Sequence, residues 1–224
     1  MKNYFTSALL CLFPILAIIS CTGDSIVNTN DPVIGNGKTV SQYRTVNNFS
    51  GIEMIGNFQV NVKTGTSDSV KITADDNVIG LIRTEKSNNV LKIYPQKSIS
   101  TKSDIVVDIW SENISDIRVD GNAAIVVEKV KHNSFFSYIE GNGSLVAAGD
   151  VSISAVQIVG NGSIDFYEMN SDTLTVNIEG NSTVKASVKK LLDVVITGLG
   201  TVSYKGEPEV RKNIVGLGSI TKVQ

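Results

Sequence analysis

The sequence has 224 residues, of which 20 are Lys or Arg and 22 are Asp or Glu, so its formal net charge at pH 7 is −2. Binding to nucleic acid depends on a concentrated basic surface, and this near balance of charge argues against it. A hydrophobic fraction of 42% and a charged fraction of 19% are typical of a packed domain and exclude a largely disordered chain. One His and two Cys argue against most metal clusters, disulfide scaffolds and His-dependent triads. We therefore expect neither a cofactor nor a metal site.

Residues 1–20 have the features of a bacterial lipoprotein signal peptide. Lys2 precedes an uncharged, mostly apolar stretch, as in the basic and apolar regions of a secretory signal. The stretch ends in Ile18-Ile19-Ser20-Cys21, which resembles the bacterial lipobox, the motif whose Cys becomes the lipidated first residue of the mature protein. A transmembrane anchor is the alternative, but Pro14 interrupts the run, which is shorter than the roughly 20 apolar residues that span a bilayer. We expect export across the inner membrane and attachment of Cys21 by lipid to the cell envelope, at the outer membrane.

Residues 21–39 are rich in Gly, Asn, Asp and Thr and have no hydrophobic period. Such a composition predicts a flexible spacer between the lipid and the folded part. We expect one continuous domain over residues 40–224, with irregular coils in 40–115 and regular repeats in 116–224.

The irregular part, 40–115, contains several short alternating segments that indicate strands, such as Phe58–Val62. Gly56-Asn57 looks like an early copy of the motif that repeats later in the chain. It lies 65 residues before Gly121, an interval long enough for about three further turns. One short helical turn is expected within 75–82. A separate small sheet over 40–115 is the alternative.

The regular part contains six aligned copies of a Gly-x-Gly-Ser/Thr-apolar string, as in Ile158-Val159-Gly160-Asn161-Gly162-Ser163-Ile164, and Ala123 and Ser182 replace the second glycine in two of them. The first glycines of the six copies are separated by 20, 19, 20, 18 and 18 residues. The glycines expected to have a structural role in these repeats are Gly121, Gly141, Gly143, Gly160, Gly162, Gly180, Gly198, Gly200, Gly216 and Gly218.

Residues around each repeat alternate between apolar and polar, which is the pattern of a strand with one buried face. The glycines fall on the inward parity, where we expect them to relieve crowding at a close approach of the backbone. A period of 18–20 residues without a helical pattern predicts an all-β parallel β-helix, in which each repeat makes one turn. An antiparallel sandwich with Asn-Gly turns is the alternative.

A β-helix stacks equivalent residues into columns, and three outward columns follow from the alignment. They lie one residue before the first glycine, one residue after it and three residues after it. The candidate binding face consists of Asp120, Asn122, Glu140, Asn142, Ser144, Asn161, Ser163, Glu179, Asn181 and Thr183.

Each column admits a structural and a functional interpretation. The Asn amides can hydrogen-bond along the axis or sit at the turn for local backbone reasons, or they can present a row of donors and acceptors to a glycan or protein. The Ser/Thr column suits carbohydrate binding but is also ordinary on a solvated strand. Asp120 and Glu140 would be neighbours, at a spacing that paired catalytic carboxylates can use. Trp110, Phe135, Phe136 and Tyr138 are expected in the core or over a coil end, whereas an exposed aromatic pair at 135–136 would favour sugar binding.

The repeated string after a lipobox resembles the putative auto-transporter adhesin, head GIN domain family, found mostly in envelope proteins of Bacteroidetes-like bacteria. The resemblance covers about 40–224 and includes the opening Phe49-Ser50-Gly51-Ile52 and the closing Tyr204-Lys205-Gly206-Glu207-Pro208. It implies a right-handed parallel β-helix and supplies no catalytic residues. The chain departs from the usual Gly-Ser-Gly string, most clearly at Leu199 and Leu217.

Three functions remain open on the sequence. The first is a lipid-anchored, non-enzymatic β-helix that binds a glycan or protein at the envelope through its repetitive polar face. The second is a structural or assembly component that acts through the ends of the β-helix, where unpaired strands are exposed. The third is a carbohydrate-active enzyme that uses Asp120 and Glu140. The leaflet and the oligomeric state stay open.

Overall fold

The computed structural model describes residues 31–63 and 67–224, and its stacked parallel strands form a β-solenoid. This confirms the predicted fold class and excludes the antiparallel sandwich; the direction of coiling stays a prediction. The strands are β1 Val33–Ile34, β2 Thr39–Arg44, β3 Gly51–Gly56, β4 Gln59–Lys63, β5 Ser69–Asp75, β6 Ile82–Ser87, β7 Val90–Pro95, β8 Ile99–Ser100, β9 Val106–Trp110, β10 Asp116–Gly121, β11 Ala124–Val130, β12 Ser134–Gly141, β13 Ser144–Gly160, β14 Ser163–Gly180, β15 Thr183–Gly198, β16 Thr201–Lys205, β17 Glu209–Gly216 and β18 Ser219–Lys222. A 3-10 helix, Ile79–Leu81, confirms the short helical turn expected within 75–82.

Each coil contributes one strand to each of two rows of parallel strands. The row that precedes the repeat glycine runs β7, β3, β10, β12, the second halves of β13, β14 and β15, and β17. The row that follows the glycine runs β9, β4, β11, the first halves of β13, β14 and β15, then β16 and β18. The long strands β13, β14 and β15 belong to both rows, so the backbone passes from one row to the other within a single strand. From Gly121 to Gly216 the chain makes five turns.

The early coils are not stacked in chain order. Gly56 pairs in register with Gly121, so the β3–β4 coil lies directly beneath the β10–β11 coil. The β7–β9 coil, which comes later in the chain, lies on the other side of β3 and β4. The expectation of about three turns between Gly56 and Gly121 is therefore wrong, since the described part of that interval holds one parallel coil.

Antiparallel strands account for much of the remaining chain in that interval. β5 pairs with β9 and with β2, and β6 pairs with β7, all antiparallel. These strands cover the edge of the first coil, which would otherwise leave a row of backbone groups unpaired. A repeat period could not reveal them, because a covering strand has no copy elsewhere in the chain.

Part of the predicted spacer, 21–39, is paired with the fold. β1 pairs in parallel with β8, and the Gly35 N–H donates to the Ser100 carbonyl at 2.8 Å. Hydrogen bonds from Asn36 and Lys38 lower the pKa of the Asp76 carboxyl. The signal peptide over 1–20 and the lipidation site Cys21 lie outside the described residues. In the described part of the chain, no helix has the length and apolar character needed to cross a bilayer.

The core lies between the two rows and is built from the inward residues of every coil. In β14, for example, Leu174, Val176 and Ile178 are fully buried, as the alternation predicts. Phe135 and Phe166 pack edge to face, with their ring centroids 5.8 Å apart. The outward residues of the same strands are left at the surface, in register from coil to coil.

Candidate functional site

The first glycine of each repeat forms the corner between the two rows. Gly141 has φ of +110°, and a Cβ added there would lie 2.5 Å from the carbonyl oxygen of Gly121 in the coil below. That oxygen accepts the N–H of Asn142 at 2.9 Å, so it cannot move without breaking a coil-to-coil hydrogen bond. The predicted close approach of the backbone is confirmed. The inward placement of this first glycine is wrong, because Gly141 lies half-buried at the corner.

The second glycine of the string is the inward one, and the reason for it differs. Gly143 is buried, and an added Cβ would lie 2.7 Å from the Val119 Cγ1 atom. The neighbouring atom belongs to a side chain, and small residues replace this glycine in other coils. Ala123 is fully buried there, and Ser182 fits by donating its hydroxyl to the Gly160 carbonyl at 2.9 Å.

The Asn column forms a ladder of side-chain hydrogen bonds along the axis. Asn161 donates its Nδ2 to Asn142 Oδ1 at 3.0 Å, and Asn142 donates to Asn122 at 2.9 Å. Asn122 donates in turn to Asn57 at 2.7 Å. Asn57 is a member that the candidate face missed, although its Gly-Asn string was the available signal. Asn181 continues the column but makes no side-chain hydrogen bond to any described residue.

The turn itself does not require Asn. Leu199 occupies the same position after Gly198, and its N–H donates to the Gly180 carbonyl at 2.9 Å, as the Asn N–H groups do in their coils. Among residues 31–63 and 67–224, the residues with positive φ other than glycine are Asn48, Asn88 and Asn89, none of which belongs to the ladder. A local backbone preference therefore does not explain the Asn column, whereas the ladder accounts for its members from Asn57 to Asn161.

The remaining predicted face residues stand in register on the surface. Ser163, Glu179 and Thr183 are exposed, and Ser144 is half-buried. Asp120 pairs in register with Glu140, as expected, and both are exposed. The full exposed set is Asp120, Asn122, Glu140, Asn142, Asn161, Ser163, Glu179, Asn181 and Thr183.

The acidic column has one well-defined neighbour. Tyr138 donates its hydroxyl to Glu140 Oε2 at 2.9 Å. This hydrogen bond, with burial and the nearby charges of Glu140, Asp120 and Glu179, raises the pKa of Tyr138. Across residues 31–63 and 67–224, no three acidic, His or Cys side chains come together as a metal-binding group would require.

The surface of the described residues includes two clefts that are not lined by Asp120 or Glu140. One, of about 570 Å³, lies where the Asn ladder ends at Asn57 and faces the segment 98–105. The other, of about 540 Å³, is a groove on the outward face of the first row and contains Phe136 and Tyr138.

Sequence reasoning missed the groove because it treated Phe135 and Phe136 alike. Strand parity separates them: Phe135 has no exposed surface, and Phe136 is 47% exposed. Alternation alone could have found this difference, since residues 135 and 136 must point to opposite faces of β12.

The fold and its surface define a β-solenoid with exposed polar columns beside repeated Gly-Asn turns. The family model described as "Putative auto-transporter adhesin, head GIN domain" matches residues 48–208, and the chain belongs to that family. The family description indicates a protein of the cell surface or envelope, and it names an adhesin, not an enzyme.

Solved structures with the same fold include proteins from Bacteroides and Parabacteroides species. A putative adhesin from Bacteroides fragilis is 17% identical, with a TM-score of 0.70 over 85% of this chain and 100% of that one. A putative adhesin from Parabacteroides merdae is 18% identical, with a TM-score of 0.57 over 87% of this chain and 100% of that one. A putative lipid binding protein from Parabacteroides distasonis is 20% identical, with a TM-score of 0.55 over 87% and 100%. A search of curated proteins finds no match.

Proposed function

We propose that the chain is a lipid-anchored adhesin of the cell envelope that binds a glycan or a protein through its repetitive polar face. The observation that carries this proposal is the set of exposed polar side chains held in register over successive coils around the Gly-Asn turns. A rigid solenoid fixes these groups at the strand spacing of about 4.8 Å, so that a repetitive ligand can meet several of them at once. The description of the family as an adhesin supports the same function.

The anchoring part of the proposal rests on the lipobox at Cys21. Intact cells that express the protein would be treated with protease, with a Cys21→Ala variant as the anchoring control. Degradation of the wild-type chain on intact cells, together with release of the variant from the membrane fraction, is the expected result. Protection until the outer membrane is breached would place the chain at a periplasmic face and overturn attachment to external partners.

The binding face is tested by a triple variant in a coil whose side chains are not part of the ladder: Glu179→Ala, Asn181→Ala and Thr183→Ala. Lys189→Ala, an exposed change where β15 passes from one row of strands to the other, is the control. Attachment of cells to a glycan- or protein-coated surface should fall severalfold in the triple variant and stay unchanged in the control. Equal attachment by the wild type, the triple variant and the control would count against this face.

A second candidate, an assembly component, is favoured by the end of the solenoid at β17 and β18. In the described residues these strands have a neighbour on one side only, and half-buried Val210, Ile214 and Ile220 lie at this end. Lys212 counts against it. The Lys pairs in register with Val194, in an inward column, and an inward-pointing charge at an edge discourages strand pairing.

Sedimentation velocity of the full chain separates the two candidates. A concentration-dependent dimer in the wild type would support assembly through this end. A wild-type monomer that associates only when Lys212→Val removes the charge would show that the edge is guarded, and assembly would fail as a function.

A further inference from the structure

We propose that the groove around Phe136 is a subsite for a neutral saccharide chain. This rests on the proposed binding function, but it names the class of ligand and assigns it to the outward sheet face, outside the Gly-Asn turn columns.

The groove is a grid of two outward columns across four coils. Register pairs Asp116 with Phe136, Phe136 with Ala155 and Ala155 with Thr175 in one column. It pairs Arg118 with Tyr138, Tyr138 with Gln157 and Gln157 with Asn177 in the other. These eight residues line the groove, with Ser137 and Val156 between the columns.

Phe136 supplies an apolar wall, and Ala155 makes room beside it. The Phe136 ring is 47% exposed, although apolar residues elsewhere in β12 are buried. The next residue in its column is Ala155, whose methyl group leaves a depression at the side of the ring. The apolar C–H face of a pyranose stacks on an exposed aromatic ring of this kind, because both surfaces lose water on contact.

Polar side chains around the ring are free to bind hydroxyl groups. Gln157, Asn177 and Thr175 make no side-chain hydrogen bond to any residue that the structure describes, and each is exposed or half-buried. Amide and hydroxyl groups both donate and accept, as saccharide hydroxyls require. The coils repeat about every 4.8 Å, close to the length of one pyranose unit in a chain.

The charges at the groove favour a neutral ligand. Arg118 forms a two-point ion pair with Asp116, at 3.2 and 3.0 Å, and this pair raises the pKa of Arg118. The cation is therefore already occupied. The adjoining column carries the carboxylates of Asp120, Glu140 and Glu179, which repel an anionic sugar.

Titration calorimetry of the purified full chain with cellohexaose, mannohexaose and chitohexaose, and with hexagalacturonate as the anionic probe, tests the proposal. At least one neutral hexasaccharide should bind, and hexagalacturonate should bind at least tenfold more weakly. Phe136→Ala and Ala155→Leu should each weaken neutral binding at least tenfold, the first by removing the stacking wall and the second by filling the depression.

The matched controls lie on the other row of strands. Val146→Ala removes an exposed apolar side chain, and Ala148→Leu enlarges a half-buried alanine. Both should leave the dissociation constant unchanged. A thermal melt of each variant checks that the fold is intact.

The proposal is overturned if no neutral hexasaccharide binds at millimolar concentration, if hexagalacturonate binds as tightly, or if the groove variants bind like the controls. Measuring cell attachment as well distinguishes failure of the groove proposal from failure of the proposed adhesin function. Hexasaccharide binding and attachment that both survive Phe136→Ala but fall in the Glu179, Asn181 and Thr183 triple variant overturn the groove and support the candidate binding face. Hexasaccharide binding without any cell attachment supports the groove and overturns the adhesin.

Discussion

The glycine turns of the earlier coils, as at Gly141, and those of the last coils, as at Gly198, share a backbone conformation and differ in their outward side chains. At Gly141 and at Gly198, φ is +110° and +122°, and an added Cβ would lie 2.5 Å from the carbonyl oxygen of the glycine below in both cases. The following residue donates its N–H to that same oxygen at 2.9 Å, whether it is Asn142 or Leu199. Yet the earlier coils carry a ladder of amides, while Leu199 and Leu217 are 52% and 84% exposed. Glycine therefore determines the turn, and the residue after it can be polar or apolar without changing the backbone.

The largest expected effect tests the shared backbone. Gly141→Ala and Gly198→Ala should each lower the free energy of unfolding by on the order of 3 kcal/mol, because each adds strain at positive φ and a clash with a fixed carbonyl. Urea denaturation measures both. Gly80→Ala, where an added Cβ meets nothing within 4 Å, is the control and should change little. If one variant lost far more free energy of unfolding than the other, the turns at Gly141 and Gly198 would not be equivalent.

The ladder gives a smaller effect, confined to the earlier coils. Asn142→Leu removes two exposed side-chain hydrogen bonds and should lower the free energy of unfolding by about 1 kcal/mol. Asn181→Leu, the matched change at an Asn outside the ladder, should be close to neutral. If urea denaturation gave equal losses, the ladder would not be the reason for Asn in this column.

The smallest effect is expected in the last coils. Leu199→Asn combined with Leu217→Asn leaves the turn unchanged, so the free energy of unfolding should shift by less than about 0.5 kcal/mol. Retention on a hydrophobic-interaction column should fall, because two exposed apolar side chains are removed. A clear loss of stability would mean that these leucines pack against the fold and are not simply surface.

The repeat made most of the fold predictable, but it gives no information on elements that occur only once in the chain. Spacing and parity predicted the stacked coils and the inward columns, such as Leu174, Val176 and Ile178, because each copy reports on the same structure. The antiparallel strands β2 and β5 occur once and pair across long separations, while β6 is joined to β7 by a short turn at Asn88 and Asn89, so no period reveals them.

The candidate site shows the same division. The column at Asn122, Asn142 and Asn161 followed directly from the alignment, and so did the pairing of Asp120 with Glu140. The groove at Phe136 did not, because it depends on which residues of neighbouring coils are large and which are small. That information lies in the succession of residues along one column, here Phe136 and then Ala155, and not within any one copy of the motif.

The position of the β3–β4 coil has a consequence for how the chain folds. The coils after Gly121 can be added one at a time, since the repeat glycine of each pairs with one only 18 to 20 residues away. The β3–β4 coil is held between β7–β9 and β10–β11, and its pairing with β10 closes a loop of 65 residues. Closing that loop costs chain entropy before any coil above it can be laid down in register. We therefore expect the slow step of folding to be the formation of this segment, after which the later coils pair quickly, one after another.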